Sequence, residues 1–254
     1  MRSQAGAWER EGLTWSLVPR LPPGNTLPGG SASRSAKTRR SLGDIAFPGR
    51  SLGTRDPIRI RLEMTLSHMQ KEFYRIGVLL LAMWLVRIVD ATIPYALADH
   101  GLQPRQWSGL PGIVTMPFLH GNFSHLFSNT VSLGILLGLL VWSRKSPWVL
   151  AALTSVVGAT LLWLVGRDAN HIGASGLVFG LIGLLIVGGF LNRRLIPVGV
   201  AIVVGILFGG TLLSGILPGS DTEVSWEGHL CGLVGGAAVA FFASEEAGRW
   251  RIRG

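Results

Sequence analysis

Long apolar runs recur along the chain from Phe73 onward. A helix that crosses a membrane needs about 20 mostly apolar residues, and six runs approach that length. They cover approximately residues 74–94, 124–142, 147–166, 173–191, 195–213 and 226–243. Buried helices of a soluble protein would carry polar faces, which these runs lack. The pattern therefore predicts an all-α fold, a polytopic membrane protein built as a six-transmembrane-helix bundle.

The first 63 residues have a different pattern, rich in Arg, Ser, Gly and Pro with few apolar positions. Such a segment cannot bury enough apolar surface to offset the entropy of ordering it, and it lacks the apolar stretch of a secretory signal. We expect a disordered basic N-terminal extension over residues 1–70, a membrane domain over 71–245 and a short basic cytoplasmic tail over 246–254. There are two alternatives for this extension. Translation could truly start at Met64 or Met69, or the extension could be a basic arm that binds membrane or nucleic acid.

The composition agrees with a membrane protein. Of the 254 residues, 48% are hydrophobic and only 15% are charged, whereas a soluble domain has about 25% charged residues. The net charge of +9 could indicate a nucleic-acid partner. Residues 1–63, however, hold 11 of the 23 Lys and Arg and 5 of the 14 Asp and Glu, which gives them +6 of that charge. We therefore expect no nucleic-acid partner, and lipid as the surroundings.

The loop charges predict the orientation of the bundle. Basic residues follow spans two, four and six: Arg144, Lys145, Arg193, Arg194, Arg249, Arg251 and Arg253. The opposite loops carry Arg105, Arg167 and Asp168, then Asp221, Glu223 and Glu227. By the positive-inside rule both termini are cytoplasmic, which an even number of spans requires. With 20 Arg against 3 Lys, we expect a bacterial plasma membrane.

Polar residues gather where spans two, four and six begin. In this topology all three spans enter from the outer face, so their first residues share one depth. His125 and Asn129 are four apart on one helix face, Ser175 opens the fourth span, and His229 lies near the start of the sixth. Ionisable groups inside membrane spans are rare and usually functional. A hydroxyl, an imidazole and hydrogen-bond donors at one level suggest a nucleophile, a base and an oxyanion hole.

Glycines in the fourth and sixth spans predict that these helices touch. They recur at short spacing in each span: Gly176, Gly180 and Gly183 in the fourth, and Gly228, Gly232 and Gly236 in the sixth. Small residues at this spacing let membrane helices approach backbone to backbone. We expect that packing to bring Ser175 within hydrogen-bond reach of His229. Ser175, flanked by Gly173 and Gly176, also lies near the free N–H groups of a helix start.

Each of these residues has a plainer interpretation when taken alone. His125 and Asn129 could be contacts between helices, and His229 could be a satisfied core histidine. His120, His125 and His229 could instead bind zinc, although no carboxylate is placed to orient the imidazoles. His171 is expected to be a loop residue near the mouth of the site. Arg87 and Asp90 are expected to pair, and the single cysteine, Cys231, to be a packing residue.

Taken together, the motifs resemble those of the rhomboid intramembrane serine proteases. The resemblance rests on His120-x4-His125-x3-Asn129, Gly173-Ala174-Ser175-Gly176 and His229-x2-Gly232-x3-Gly236, in order and on the expected spans. It covers residues 70–245 approximately. It implies Ser175 as nucleophile and His229 as general base, with His125, Asn129 and the Ser175 backbone N–H as the oxyanion hole. It also implies a supporting role for His120.

Two positions depart from the family pattern. Phe179 stands where the family often has a Tyr stacked on the base, and Gly228 stands where Ala usually precedes the base; neither change removes a catalytic atom.

The resemblance implies cleavage of transmembrane segments of membrane proteins near the outer face, without a cofactor. The segment 95–123 would be the family's first loop, and span five with the loop 214–225 the mobile gate and cap. The alternative is a non-catalytic helix-binding membrane protein or a small transporter. The oligomeric state stays open.

Overall fold

The computed structural model describes residues 57–192, 194–217 and 225–252. In these ranges it is a helical bundle. The longer helices are α1 (Pro57–Thr92), α3 (Phe123–Ser143), α4 (Pro147–Val165), α5 (Ser175–Asn192), α6 (Leu195–Gly215) and α7 (Trp226–Ile252), with α2 a single turn at Gly112–Thr115.

Five of these helices, α3 to α7, are long and apolar enough to cross a membrane. They coincide with the predicted spans two to six to within a few residues, except that α7 continues through Ile252. The all-α membrane fold is thereby confirmed. The first predicted span lies in α1, where Arg75, Arg87 and Asp90 interrupt the apolar stretch. Its crossing of the membrane stays a prediction.

α1 begins earlier than the sequence pattern indicated. Residues 57–70, expected to be disordered, are helical, because Pro57 suits the first position of a helix and good helix formers such as Leu, Glu and Met follow it. Further along α1, buried Glu72 accepts hydrogen bonds from Arg75 and from the indole of Trp148. The hydrogen bond between Trp148 and Glu72 ties α1 to the start of α4. Residues 1–56 lie outside the described residues.

The core is built around α5. Every residue from Val178 to Leu185 is buried, and the helix packs against α3, α4, α6 and α7. The predicted glycine contact is confirmed, because a Cβ on Gly232 would lie 2.0 Å from the Gly176 carbonyl oxygen and one on Gly236 1.8 Å from that of Gly180. The α5 and α7 backbones therefore touch, as membrane helices do where small residues face each other.

Helix α4 joins the same glycine contact, which the sequence pattern did not predict. A Cβ on Gly158 would lie 3.0 Å from the Gly232 Cα, and one on Gly235 2.8 Å from the Gly158 nitrogen. One face of α7 thus packs on α5 and the other on α4.

The segment between α1 and α3 is irregular but well packed. It contains three short 3-10 helices, Leu97–His100, Trp107–Gly109 and Met116–Phe118, besides α2. Leu102 forms an antiparallel bridge with His171, and the Arg105 guanidinium donates to the Gly166 carbonyl at 2.6 Å. These bonds hold the segment against the loop that joins α4 to α5.

Charged side chains of the described residues occupy the two ends of the bundle. One end, where α3 is followed by α4 and α5 by α6, carries Arg144, Lys145 and Arg194. The opposite end carries Arg167, Asp168 and Glu227. Arg87 and Asp90 form the expected ion pair, at 3.1 Å.

Candidate active site

A cavity of about 470 Å³ opens at the end of the bundle where α3, α5 and α7 begin. Four of the predicted functional residues line it together: Ser175, His229, His125 and Asn129. Hydroxyl and amide side chains from Asn122, Ser124, Ser128, Ser132, Thr211, Ser214 and Ser225 complete its polar wall. Asn170, a nearby polar residue, does not line the cavity and donates to the Ala98 carbonyl at 2.7 Å. The site is therefore polar enough to hold water inside an apolar bundle.

Ser175 is the first residue of α5, as its sequence context predicted. The tight turn before it depends on Gly173, which has a φ of +105° and donates its N–H to the Met116 carbonyl at 3.0 Å. A Cβ at Gly173 would also lie 2.6 Å from Cε1 of His125. Glycine is thus required here both by the backbone conformation and by the imidazole beside it.

The imidazole of His229 is held on two sides. Phe179, one turn after Ser175, stacks on it with ring centroids 4.2 Å apart and planes 3° from parallel. Its Nδ1 lies 2.8 Å from the carbonyl oxygen of Gly215, at the end of α6. A carbonyl can only accept, so Nδ1 carries the proton and Nε2 of the neutral ring keeps its lone pair. Phe179 thus provides the stacking expected of it without a phenol hydroxyl.

Ser175 and His229 line the same cavity but are not hydrogen-bonded to each other. Among the described residues, no hydrogen bond of the Ser175 hydroxyl or of His229 Nε2 is present. The packing of α5 on α7 was predicted correctly, and it brings Ser175 and His229 to one cavity without a hydrogen bond between them among the described residues. In many enzymes the bond between nucleophile and base tightens only when substrate binds.

His120 positions Asn129. The Asn129 amide donates to His120 Nε2 at 3.1 Å, and His120 Nδ1 lies 3.4 Å from the Phe118 carbonyl. Burial, with a smaller contribution from His125, lowers the pKa of His120 to about 4, so the ring is neutral near pH 7 and can accept this bond. An amide has two N–H donors, so one remains for another acceptor.

His125 is fixed through the start of α3. Its backbone N–H donates to the side chain of Asn122, the N-cap residue, at 2.8 Å. Its ring meets that of His120 edge to face, with centroids 5.2 Å apart. His120, His125 and Asn129 therefore form one packed group on the wall of the cavity.

His171 has a larger part in this site than the sequence suggested. It is buried, and burial lowers the pKa of its imidazole. One ring nitrogen faces the Arg167 carbonyl at 3.2 Å and the other the Ser225 hydroxyl at 2.7 Å. Ser225 in turn accepts the Gly228 N–H at 3.1 Å. His171 thus steadies the cap of the helix that carries His229.

A signal for half of this arrangement was present in the sequence. Ser directly before an apolar helix, three residues ahead of a free N–H, is the usual N-cap pattern, and Ser225 fits it. The partner His171 is 54 residues away along the chain, so no local pattern could identify it.

The remaining supporting residues are placed as expected. Gly176, Gly232 and Gly236 lie in the α5–α7 contact, and Cys231 is a buried free thiol. Within the part of the chain that the structure describes, no group of three or more His, Cys, Asp or Glu side chains is arranged to hold a metal ion. His120 and His229 instead each direct Nδ1 to a backbone carbonyl.

Comparison with known proteins identifies the fold. Residues 104–246 match the family model described as the Rhomboid domain. An uncharacterized protein of Mycobacterium tuberculosis (strain ATCC 25618 / H37Rv) is 36% identical over 171 residues, which is 64% of this chain and 71% of the relative. An uncharacterized protein of Mycobacterium leprae (strain TN) is 33% identical over 171 residues, 64% of this chain and 67% of the relative. The chain therefore belongs to the rhomboid family, a family of intramembrane proteases.

Proposed function

We propose that this protein is an intramembrane serine endopeptidase that uses Ser175 as nucleophile and His229 as general base. One observation carries the proposal. Ser175 and His229 line one polar cavity, and the hydrogen bond from His229 Nδ1 to Gly215 leaves Nε2 as the basic nitrogen. A serine with a base of the correct tautomer nearby is the arrangement that nucleophilic catalysis needs.

In the first step, Nε2 of His229 takes the proton of the Ser175 hydroxyl as Oγ attacks the scissile carbonyl. The carbonyl oxygen becomes an oxyanion, for which the Ser175 backbone N–H, the His125 ring and the second Asn129 amide proton are the proposed donors. The imidazolium then protonates the leaving amine, and an acyl ester on Ser175 remains.

In the second step, water replaces the amine. Nε2 takes a proton from the water, whose oxygen attacks the ester carbonyl, and the imidazolium returns the proton to Ser175 Oγ as the ester bond breaks. The polar wall of the cavity supports the presence of water. In a Ser-His-Asp triad a carboxylate orients the imidazole; here the Gly215 carbonyl and the Phe179 ring take that part.

The proposed substrates are transmembrane segments of other membrane proteins, cut near the outer face. The cavity lies at the ends of spans, so a segment that reaches it is close to the membrane boundary. A helical segment must unwind to expose a carbonyl, and its freed backbone groups then need polar partners. Small or helix-weakening residues are therefore expected at the cut.

The decisive experiment replaces Ser175 by Ala. Cleavage of a panel of single-span substrates in membranes should fall by about 1000-fold or more, since loss of the nucleophile leaves only residual catalysis. Ser155→Ala is the matched control, because it removes a hydroxyl from α4 outside the cavity. Unchanged cleavage by Ser175→Ala would refute the assignment.

Labelling with a fluorophosphonate probe separates the enzyme from its non-catalytic alternatives. A helix-binding protein or a transporter has no need of an activated serine, whereas the protease should be labelled at Ser175. Labelling should vanish in Ser175→Ala and in His229→Ala but persist in Ser155→Ala. A transporter would also be expected to have helices broken at mid-membrane, and α3 to α7 are continuous over their described lengths.

A further inference from the structure

A second cavity lies at the end of the bundle opposite the candidate active site. Its volume is about 730 Å³. It is bounded by the end of α3, the first half of α4, the junction of α5 and α6, and the last part of α7. It shares no lining residue with the cavity of the candidate active site.

The rim of this cavity carries three cationic side chains that have no partner among the described residues. Arg144, Lys145 and Arg194 all line it. None of the three forms a hydrogen bond or ion pair through its side chain with the described residues. Nε of Arg144 is buried without a hydrogen-bond partner, and the guanidinium lies against Gly188, where a Cβ would be 2.5 Å from Nη2. A buried donor without an acceptor is costly, so an anion from outside the chain would satisfy it.

The inner wall is apolar and continues onto the membrane-facing surface. It is formed chiefly by Val149, Leu150, Leu153, Val157, Val239 and Phe242. Val149 is 59% exposed and Phe242 65% exposed, on helices that span the membrane. A ligand in this cavity therefore meets cations at one end and hydrocarbon at the other.

We propose that this cavity is a binding site for one anionic phospholipid. The phosphate binds Arg144, Lys145 and Arg194, and an acyl chain lies along α4 and α7. Basic pockets between membrane helices on the positively charged side suit anionic head groups. A free phosphate would leave the apolar wall unused.

The test is lipid binding to the purified full-length chain, measured by native mass spectrometry. The probes are phosphatidylglycerol and phosphatidylcholine with identical acyl chains. We expect at least tenfold tighter binding of phosphatidylglycerol. Each cation near a phosphate contributes a factor of about five, so Arg144→Gln with Arg194→Gln should weaken phosphatidylglycerol binding about 25-fold and leave only the small preference due to Lys145.

Lys71→Gln is the matched control. Lys71 is an exposed cation on α1, beside Glu72, which contacts Trp148 at the same end of the bundle, and it lies outside the cavity. Its replacement should leave the preference intact. Arg144→Lys with Arg194→Lys should also retain it. If the double Gln variant does not fold, the exposed Arg194→Gln alone should show a loss of about fivefold.

Three results would overturn the proposal. Equal binding of the two lipids would show that the cavity does not select an anionic head group. An unchanged preference for phosphatidylglycerol in a folded Gln variant would show that the lipid binds at another place on the protein. Competition by glycerol phosphate as effective as that by the whole lipid would indicate a site for a free anion. Because the readout is binding, it is independent of whether Ser175 is a nucleophile.

Discussion

At the scale of single residues, the site depends on groups that hold other groups in place. His229 owes its tautomer to the Gly215 carbonyl and its plane to Phe179. Asn129 is oriented by His120. The proposed catalytic side chains are therefore held in position by neighbouring residues, as precise sites generally require.

Gly173→Ala should impair both stability and cleavage. A non-glycine residue in this backbone region costs about 1–3 kcal/mol, and the added methyl group would press on His125, which lies 2.6 Å from the Cβ position. We expect a lower midpoint of thermal unfolding and at least a tenfold loss of substrate cleavage.

Gly199→Ala is the control for that substitution. Gly199 lies in α6, and nothing is within 4 Å of its Cβ position. Its replacement should leave cleavage unchanged and the unfolding midpoint equal or slightly higher, because Ala favours a helix over Gly. If both variants behave alike, the special role of the turn at Gly173 is excluded.

Stability should fall as the pH is lowered from about 6.5 towards 4. The pKa of His120 is about 4 in the folded chain against an ordinary value of 6.5, so in this range the unfolded chain binds a proton that the folded chain does not. Stability then rises with pH. His171, whose pKa burial also lowers, acts in the same direction. Thermal unfolding in detergent across pH 4–8 measures the effect.

His120→Gln should reduce that pH dependence, since one of the two titrating groups is gone and His171 remains. An equally steep fall in stability for His120→Gln and the parent would argue against His120 as its source.

At the scale of helices, the site is assembled by close backbone contact. α7 presents Gly232 and Gly236 to α5, and Gly235 to α4. This contact sets His229 and Ser175 against one cavity. Equally, the Gly215 carbonyl joins the end of α6 to His229, so a displacement of α6 would release the base from its hydrogen bond.

Gly236→Ala should weaken the α5–α7 contact. Its methyl group would come 1.8 Å from the Gly180 carbonyl oxygen, and neither backbone can yield without separating the helices. Overpacking of this kind costs about 1–3 kcal/mol. A lower unfolding midpoint is expected, with reduced cleavage. Gly209→Ala, which adds a methyl group to open space on α6, should be neutral; equal behaviour of the two variants would refute the role of this contact.

At the scale of the whole molecule, the two ends of the bundle differ in the charge of their residues. The polar cavity lies at the end with Arg167, Asp168 and Glu227, and the basic rim lies at the other. The positive-inside rule then predicts that the basic end is cytoplasmic and that the candidate active site opens outward.

Cysteine labelling tests that orientation. In a Cys231→Ala background, Asp168→Cys should react with a membrane-impermeant maleimide in intact cells, whereas Lys145→Cys should react only after permeabilisation. Both positions are exposed. The background chain without cysteine serves as the control, and the reverse labelling pattern would invert the proposed topology.

The sequence by itself determined the class of fold and predicted four residues that line the candidate site together. Long apolar runs predict membrane helices because, in lipid, backbone N–H and C=O groups can hydrogen-bond only within the chain. Glycine spacing predicted that α5 and α7 touch. Only the tertiary structure decided which distant groups meet: Gly215 with His229, His171 with Ser225, and the unpaired cations of the second cavity. These contacts join residues from separate elements, and local periodicity carries no information about the partner that a side chain finds across the bundle.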